Sequence, residues 1–282
     1  MKNVFSFCNQ KGGVGKTTSV INIAATLAQE GKKTLIIDMD SQANATSGIG
    51  EEKPSDLQFT AYQLFVDNFD PNTIIRKTSI ENLHLIPSSP ELSGVELDLV
   101  NSEEREFQLK KAVDRFRDEF DYVLIDCPPS LGLLTINTLT AADQLIIPLQ
   151  CEYYALEGLG QLINTFSLVQ KNLSPGLEVG GVILTMADFR TNLTQQVIEE
   201  VRNFFKDKVF NTIVPRSVKL SEAPSFGKPA VIYDPHGRGS QSYKQLAQEF
   251  LSRFPSSAKK NNQIKIEAPS SENSEQTETV QN

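Results

Sequence analysis

A glycine-rich run near the amino end of the chain constrains its fold more than any other feature. Residues 11–18 read Lys-Gly-Gly-Val-Gly-Lys-Thr-Thr, after the short apolar run 3–8 and before apolar residues at helical spacing over 20–28. Glycines allow backbone N–H groups to close around anionic oxygens, and the following helix directs the positive end of its dipole at them. In such a loop Lys16 supplies a charge for the β- and γ-phosphates of a nucleotide, and Thr17 offers a hydroxyl to Mg²⁺. The loop predicts a nucleotide site formed by Lys11, Gly12, Gly13, Val14, Gly15, Lys16, Thr17 and Thr18.

The loop departs from the usual phosphate-binding pattern at two positions. Gln10 stands where that pattern begins with glycine, and a second lysine, Lys11, precedes Lys16 by five residues. One lysine is enough to hold a phosphate within a single subunit. Lys11 is therefore either an ordinary surface charge or a group that reaches a phosphate elsewhere.

The composition is that of a globular protein without an evident membrane segment. The chain has 282 residues, of which 39% are hydrophobic, enough for a sizeable core. Its longest apolar stretches, such as 145–147 and 182–184, are the size of a strand and far too short to cross a bilayer. The amino end shows no secretory signal, and three widely spaced cysteines, Cys8, Cys127 and Cys151, form no metal-binding pattern. We expect buried, reduced cysteines and a cytoplasmic protein.

Charge is unevenly distributed along the chain. The net charge of −8 argues against non-specific nucleic-acid binding by the whole surface. Residues 186–240, however, contain eight Lys and Arg against six Asp and Glu, a local net charge of +2. This sign suits a nucleic-acid-binding face, although on composition alone ordinary solvated charge is the better interpretation.

Strand and helix patterns alternate along the chain. They predict strands at 3–8, 33–38, 83–86, 121–126, 144–149 and 179–186, and helices at 17–30, 60–66, 103–118, 132–141, 155–171, 191–205 and 238–253. Continuous apolar strands are typical of a parallel sheet that is covered on both faces. The order predicts an α/β fold, a doubly wound and mostly parallel sheet flanked by helices. We expect one domain at 1–254 and a flexible polar tail at 255–282.

Three aspartates follow apolar strands, at the edge of the sheet where ligands bind in doubly wound folds. Asp38 and Asp40 end the run 35–40, and Asp126 ends the run 122–126. Aspartates at strand ends are often turn or helix-capping residues. Beside a phosphate loop, however, such carboxylates can hold Mg²⁺ or its water ligands. The pattern predicts a metal site formed by Thr17, Asp38 and Asp126.

Several strings carry a resemblance to a known family. The loop at 11–18 is similar to the deviant Walker A box of the ParA/MinD superfamily of ATPases, in which the first lysine reaches across a dimer interface into the partner's nucleotide. Residues 38–48, Asp-Met-Asp-Ser-Gln-Ala-Asn-Ala-Thr-Ser-Gly, resemble the A′ region of the Soj/ParA chromosome-partition ATPases. Residues 184–193 and 213–229 also resemble that subfamily. The similarity runs from Val4 to about Phe254, and Ser41 and Ala43 depart from the family's usual proline and glycine.

This resemblance implies a P-loop NTPase and an ATP-driven cycle. ATP binding forms a sandwich dimer, and the dimer binds DNA without sequence preference. A ParB-type centromere-binding partner then stimulates the Mg²⁺-dependent hydrolysis of ATP and releases the DNA. The cycle segregates chromosomes or plasmids, so the resemblance implies a nucleoid-associated homodimer without stable membrane association.

The resemblance also implies roles for individual residues. Asp126 looks like the Walker B aspartate, and Asp40 resembles the catalytic aspartate that positions the attacking water. Residues 127–130 resemble switch II, and the turn-forming residues 44–48 resemble switch I. The implied catalytic residues are Lys11, Lys16 and Asp40; Pro215 and Arg216 frame the adenine; and the DNA contacts are Arg190, Arg216, Lys219 and Arg238, with Lys208 and Arg202 as weaker candidates.

Three other functions share the loop. A membrane-positioned division-site regulator of the MinD type needs a carboxyl-terminal amphipathic helix, which the polar tail does not provide. A cluster-carrying reductase like the nitrogenase iron protein needs two cysteines per subunit, and no cysteine lies between Cys8 and Cys127. Cobyrinate and dethiobiotin synthases also share the loop, but Arg190 and the string at 215–229 fit them poorly. The sequence therefore favours a DNA-binding ATP switch.

Overall fold

The architecture is a single seven-stranded sheet covered by helices. A computed structural model of the chain describes residues 2–54, 56–66, 68–152 and 157–256. Its strands are β1 (Val4–Phe7), β2 (Thr34–Asp38), β3 (Arg76–Lys77), β4 (Leu83–Ile86), β5 (Tyr122–Asp126), β6 (Gln144–Gln150) and β7 (Glu178–Thr185). They lie in the order β3-β4-β2-β5-β1-β6-β7, and every pair is parallel except β3 with β4. The predicted α/β fold with a mostly parallel sheet is confirmed.

Helices of very different lengths connect these strands. The α-helices are α1 (Lys16–Gln29), α2 (Asn44–Gly48), α3 (Pro71–Ile74), α4 (Val95–Asp98), α5 (Gln108–Val113), α6 (Leu133–Ala141), α7 (Glu157–Asn172), α8 (Asn192–Phe205), α9 (Val218–Glu222), α10 (Ala230–Tyr233) and α11 (Arg238–Arg253). Short 3₁₀ helices occupy Leu57–Phe59, Ala61–Phe65, Pro90–Gly94, Arg117–Glu119, Lys206–Lys208 and Ala223–Phe226. In the described part of the chain, no helix combines the length and the apolar character that a membrane crossing requires.

The core lies on both faces of the sheet, as continuous apolar strands predict. On β2, Leu35 and Ile37 face one side and Ile36 faces the other, and all three are fully buried. Helices α1 and α11 cover the Ile36 face, whereas α5, α6 and α7 cover the opposite face. Because both faces are covered, side chains that serve a ligand are confined to the ends of the strands.

Two sequence-based assignments were wrong. The predicted helix at 103–118 contains only α5 and a 3₁₀ turn. The Asn137 side chain explains this, because it donates to Arg105 O at 2.8 Å and accepts from Leu109 N at 3.1 Å, which fixes a turn before α5. The residues predicted as a turn at 44–48 form α2 instead. The two-residue strand β3 was not predicted, since two basic residues carry no apolar pattern.

The three cysteines are buried free thiols, as expected. Cys8 and Cys127 extend neighbouring strands, and Ser6 Oγ lies 3.1 Å and 3.0 Å from their sulfur atoms. The predicted tail at 255–282 lies outside the described residues from position 257 onward, so its flexibility stays a prediction.

Candidate nucleotide site

The sheet order brings the glycine loop and the three aspartates to one edge. β5 lies between β2 and β1, and its last residue, Asp126, pairs in register with Asp38 on one side and Phe7 on the other. The chain continues from Phe7 directly into the loop, so the loop and both carboxylates meet at the carboxyl ends of three adjacent strands. The sequence predicted this edge as the ligand site, and the structure brings its residues together there.

Two glycines give the loop its shape. Gly13 has φ +74° and Gly15 has φ +85°, the left-handed region that residues with a Cβ rarely adopt. Gly15 is also the residue that caps α1, so the backbone changes direction there and the free N–H groups of the first turn of α1 face the loop. A loop of this shape at the positive end of a 14-residue helix is suited to anionic oxygens.

Side chains from other elements hold the loop in place. Asn9 accepts from Lys11 N at 3.0 Å and donates to Pro148 O at 2.8 Å, which ties the start of the loop to β6. Thr185, the last residue of β7, donates to Val14 O at 2.8 Å. The loop is therefore supported from two strands before any ligand binds.

The two lysines of the loop occupy different environments. Lys16 is buried, and its ammonium group donates to Lys11 O at 3.4 Å across the loop. Lys11 is half exposed, and its Nζ lies 3.5 Å from a carboxylate oxygen of Glu152. Lys16 thus belongs to the interior of the site, whereas Lys11 stands at its rim.

Asp126 is a buried carboxylate that lacks donors. Among the residues that the structure describes, neither of its oxygens has a hydrogen-bond partner of acceptable geometry, although the Thr17 hydroxyl is close enough to lower the pKa of Asp126. Burial, and secondly the charge of Asp38, outweigh that effect and hold the pKa of Asp126 well above its usual range. A cation at this position would remove that cost.

Asp38 has a different local role. Its Oδ2 accepts from Thr46 N at 2.8 Å and from Thr46 Oγ1 at 2.7 Å, and its Oδ1 accepts from Asp40 N at 3.2 Å. Burial raises the pKa of Asp38 to about 6, against the lowering effect of the hydrogen bonds from Thr46. With both oxygens engaged, Asp38 offers fewer lone pairs to a metal than Asp126 does, and its part in the metal site stays a prediction.

Asp40 faces the phosphate loop across a cavity. This cavity, of about 470 Å³, is lined by residues that include Gly12, Lys16, Thr17, Asp40, Asn44 and Pro129. Asp40 is nearly buried and is anchored by Gln42 N, which donates to its Oδ1 at 3.0 Å. The cavity therefore joins the loop, one predicted catalytic carboxylate and both segments that resemble switches.

A second cavity continues on the other side of the loop. It measures about 370 Å³ and is lined by residues that include Gly15, Thr18, Met186, Pro215, Arg216 and Tyr243. Gly15, Thr18 and Met186 border both cavities. Pro215 and Arg216 thus line a cavity that adjoins the phosphate loop, and their role in framing a base stays a prediction.

Sequence reasoning missed several residues of this second cavity, among them Thr185, Met186 and Tyr243. Thr185 and Met186 follow the same strand-end rule that identified Asp38 and Asp126, so that signal was available for β7. Met186 has φ +52°, an uncommon conformation for a residue with a side chain. Tyr243 comes from α11, far along the chain, and its hydroxyl lies 3.0 Å from Ser19 Oγ on α1. No local sequence pattern pointed to it.

The residues that resemble DNA contacts lie on adjoining segments. A β-bridge pairs Ala187 with Pro215, so the segment with Arg190 runs beside the segment that enters α9 with Lys219. At the start of α11, Gly239 leaves room for Leu220 of α9, because a Cβ there would lie 2.7 Å from the Leu220 Cγ atom. The close contact brings Arg238, Gly239's neighbour in the chain, to the same region.

Arg190 and Lys219 each have an acidic neighbour in the same segment. The guanidinium of Arg190, 87% exposed, binds both oxygens of Asp188 at 2.8 and 2.6 Å. Lys219 Nζ lies 2.8 Å from a carboxylate oxygen of Glu222, and both of these side chains are also exposed to solvent. Exposed pairs of this kind are weak, so a phosphate can displace the acidic partner.

The donor set suits a magnesium ion that shares its shell with phosphates. In the ranges that the structure covers, no three or more His, Cys, Asp or Glu side chains are arranged to hold a metal ion by themselves. Mg²⁺ usually takes one or two protein ligands and completes its shell with water and phosphate oxygens. Asp126 and the Thr17 hydroxyl meet that requirement.

Comparison with known proteins identifies the family. A family model described as an AAA domain matches residues 2–179. The sporulation initiation inhibitor protein Soj of Bacillus subtilis is 54% identical over 249 residues, which cover 88% of this chain and 98% of that protein. This chain belongs to the Soj/ParA family of partitioning ATPases. A second family member, the chromosome-partitioning ATPase Soj of Treponema pallidum, is 50% identical over 90% of this chain and 98% of its own length.

Solved structures share the family fold. A crystal structure described as cobyrinic acid a,c-diamide synthase from Mycobacterium smegmatis with bound ATP analog and magnesium matches with a TM-score of 0.77. It is 34% identical and covers 89% of this chain and 95% of that one. The likeness concerns the fold, whereas the higher identity to the Soj proteins places the chain among partitioning ATPases.

Proposed function

We propose that this ATPase is an ATP-dependent dimerising switch that binds DNA without sequence preference in its ATP state and hydrolyses ATP when a ParB-type partner stimulates it. The observation that carries the proposal is the placement of the two lysines. Lys16 is buried inside the phosphate loop, whereas the Lys11 side chain, 39% exposed, stands at the rim of the same site. A lysine at the rim is available to a second molecule that faces the loop.

The two cavities and Asp126 support ATP and Mg²⁺ as the ligands. Cavities that share Gly15 and Thr18 suit a molecule with a base at one end and phosphates at the other. The related M. smegmatis structure is described with a bound ATP analog and magnesium. When bound, Mg²⁺ would supply positive charge beside the phosphates, and Thr17 and Asp126 are the residues that would hold it.

The side chains at this edge divide the work of hydrolysis. Lys16 and the N–H groups of the loop bind the phosphates and offset the charge that accumulates on them. Thr17 and Asp126 hold the metal. Asp40 accepts a hydrogen bond from the attacking water and orients it toward the γ-phosphate, a task that needs position more than basicity.

The basic segments around Arg190 and α9 support a DNA-binding face. A face with few phosphate contacts per subunit binds usefully only when a dimer duplicates it, because two linked contacts act at a high effective concentration. Dimerisation through the nucleotide therefore explains how ATP controls DNA affinity. The basic face would place the ATP form on the nucleoid, and a ParB-type protein would release it by stimulating hydrolysis.

Co-sedimentation with long duplex DNA tests the proposal in ATP, in ADP and without nucleotide, across a salt series. We expect binding with ATP alone, and we expect it to weaken steeply with salt because phosphate contacts release counterions. The control variant Lys16→Ala should lose ATP binding and, with it, DNA binding. Equal DNA binding in all three nucleotide states would contradict the proposal.

A further inference from the structure

One carboxylate connects three polar side chains at the rim of the nucleotide site. Glu152, which follows β6, lies 3.5 Å from Lys11 Nζ through one oxygen. Its other oxygen accepts from the Arg216 guanidinium at 3.3 Å and from Gln150 Nε2 at 2.5 Å. No sequence pattern singled out this glutamate.

The contacts of Glu152 join segments that are distant in sequence. Lys11 belongs to the phosphate loop, and Arg216 lines the second cavity. Glu152 therefore holds two basic groups of the nucleotide site toward each other in the absence of ligand. Gln150, at the end of β6, donates to the Glu152 carboxylate and so orients it.

The ion pairs of Glu152 are weak enough for a phosphate to replace this carboxylate as the partner of Lys11. The Lys11 and Glu152 side chains are 39% and 44% exposed, and that of Arg216 is 63% exposed. Ion pairs with this much solvent shift an equilibrium by a few fold at most. A triphosphate carries more negative charge than one carboxylate, so it can take Lys11 away from Glu152 at little cost.

We infer that Glu152 is a positioning residue that keeps Lys11 and Arg216 on their own subunit without nucleotide and gives up Lys11 to the γ-phosphate of a partner's ATP. The inference rests on the proposed function, since it assumes that ATP brings two subunits together. Glu152 thereby opposes assembly in two ways: it occupies Lys11, and its negative charge repels an approaching triphosphate. It sets the ATP and protein concentrations at which the dimer forms.

The experiment compares wild type with Glu152→Gln, which removes the charge and keeps the shape. Sedimentation velocity with ATP and Mg²⁺ gives the dimer dissociation constant. Each dimer breaks two Lys11–Glu152 pairs, so we expect this constant to fall about three- to tenfold in the variant. The matched control is Glu178→Gln at the start of β7, a half-exposed glutamate paired with Lys2 at 2.6 Å at the opposite edge of the sheet. It should dimerise like wild type.

A second readout needs no dimer. In nucleotide-free protein, the rate at which an amine reagent labels Lys11, measured by peptide mass spectrometry, should rise at least twofold in Glu152→Gln and stay unchanged in Glu178→Gln. Unchanged labelling, or a dissociation constant that stays equal or rises, would overturn the inference. A wild-type protein that never dimerises with ATP would instead refute the proposed function, which separates the two failures.

Discussion

Asp126 is a single residue whose buried charge destabilises the ligand-free protein and suits the binding of a cation. Its carboxylate is fully buried and lies at the end of β5, beside Asp38 at the end of β2. In the described part of the chain it has no hydrogen-bond donor of good geometry. Burial raises its pKa, which means that the charged form is disfavoured in the folded state without ligand. Because its buried charge is unfavourable without a counterion, Asp126 is suited to bind a cation.

We predict that Asp126→Asn stabilises the nucleotide-free protein. Because the pKa of Asp126 is raised in the folded state, its protonated form contributes stability that is complete below the unfolded-state pKa and is lost as pH rises through the folded-state pKa. At neutral pH this carboxyl group therefore destabilises the wild-type protein. Removing the charge should add about 1–3 kcal/mol, a rise of roughly 2–8 °C in melting temperature. Thermal unfolding measures the gain, and Mg²⁺-dependent ATP hydrolysis should disappear. A lower melting temperature would contradict this account of Asp126.

Asp40 leads to a separate prediction. Asp40 faces the cavity, and in the proposed function it orients the attacking water rather than a phosphate. The variant Asp40→Ala should therefore bind ATP normally and stop turnover. The expected result is an ATP dimer that accumulates in size-exclusion chromatography, with hydrolysis reduced by at least about 100-fold. Lys16→Ala is the control, since it should not bind ATP at all. An Asp40→Ala protein that stays monomeric with ATP would count against the assigned role.

At the scale of elements, α2 depends on a residue that precedes it by six positions. Ala43, at its amino end, has no side-chain acceptor for the free N–H groups of the first turn. Asp38 supplies that acceptor from the end of β2, since its Oδ2 accepts from Thr46 N at 2.8 Å. Position 38 therefore couples the sheet to the segment that resembles switch I.

We predict that Thr46→Val loosens this coupling. The Thr46 hydroxyl is fully buried, donates to Asp38 at 2.7 Å and accepts from Ser88 N at 3.1 Å. Its loss leaves the buried Ser88 N–H without this acceptor and removes one of the two hydrogen bonds that Asp38 Oδ2 accepts from Thr46. We expect a cost of about 1–3 kcal/mol, measured by urea unfolding. The control Thr73→Val removes an exposed hydroxyl of α3 that donates to the carbonyl of Asp70, the residue before that helix, and should change stability by less than about 0.5 kcal/mol. Equal losses in the two variants would show that Thr46 has no special structural role.

Contacts at the scale of elements also explain why some helices were predicted correctly from the sequence and others were not. Helices α1, α8 and α11 were predictable because each presents an apolar stripe at helical spacing to the sheet. The region 103–118 has a similar composition, yet one buried amide, Asn137, satisfies its backbone groups in a turn. A hydrogen bond from a distant residue is not visible in the local periodicity of a sequence. The same holds for the contact of Asp38 with Thr46 N, which caps the helix at 44–48.

At the scale of the whole molecule, packing brings together basic side chains that are far apart in this negatively charged chain. Arg190, Lys219 and Arg238 come from three segments that the Ala187–Pro215 bridge and the close approach of α11 to α9 bring together. Arg216 is best placed for the nucleotide, because it lines the second cavity and pairs with Glu152. The weaker candidates, Arg202 and Lys208, lie on α8 and the 3₁₀ turn that follows it.

We predict that Arg190→Glu separates dimerisation from DNA binding. Arg190 is solvent-exposed and contributes no contact to either cavity, so the variant should form the ATP dimer like wild type. Reversing its charge on both subunits should weaken DNA binding by at least about tenfold in a mobility-shift assay. The control is Lys110→Glu on α5, another exposed, ion-paired base outside these segments. DNA binding like that of wild type would place the DNA face elsewhere.

The sequence by itself determined the parallel sheet, the phosphate loop and the carboxylates at the strand ends. These features depend on residues that are close together in the sequence, since apolar runs predict buried strands and glycines permit the loop conformation. The tertiary structure alone decided which distant groups meet: Tyr243 beside Ser19, Asp38 as the cap of α2, and Glu152 between Lys11 and Arg216. These contacts depend on how strands and helices pack in three dimensions, and no spacing along the chain encodes them. They also determine how tightly the rim of the site holds its two basic side chains before a ligand arrives.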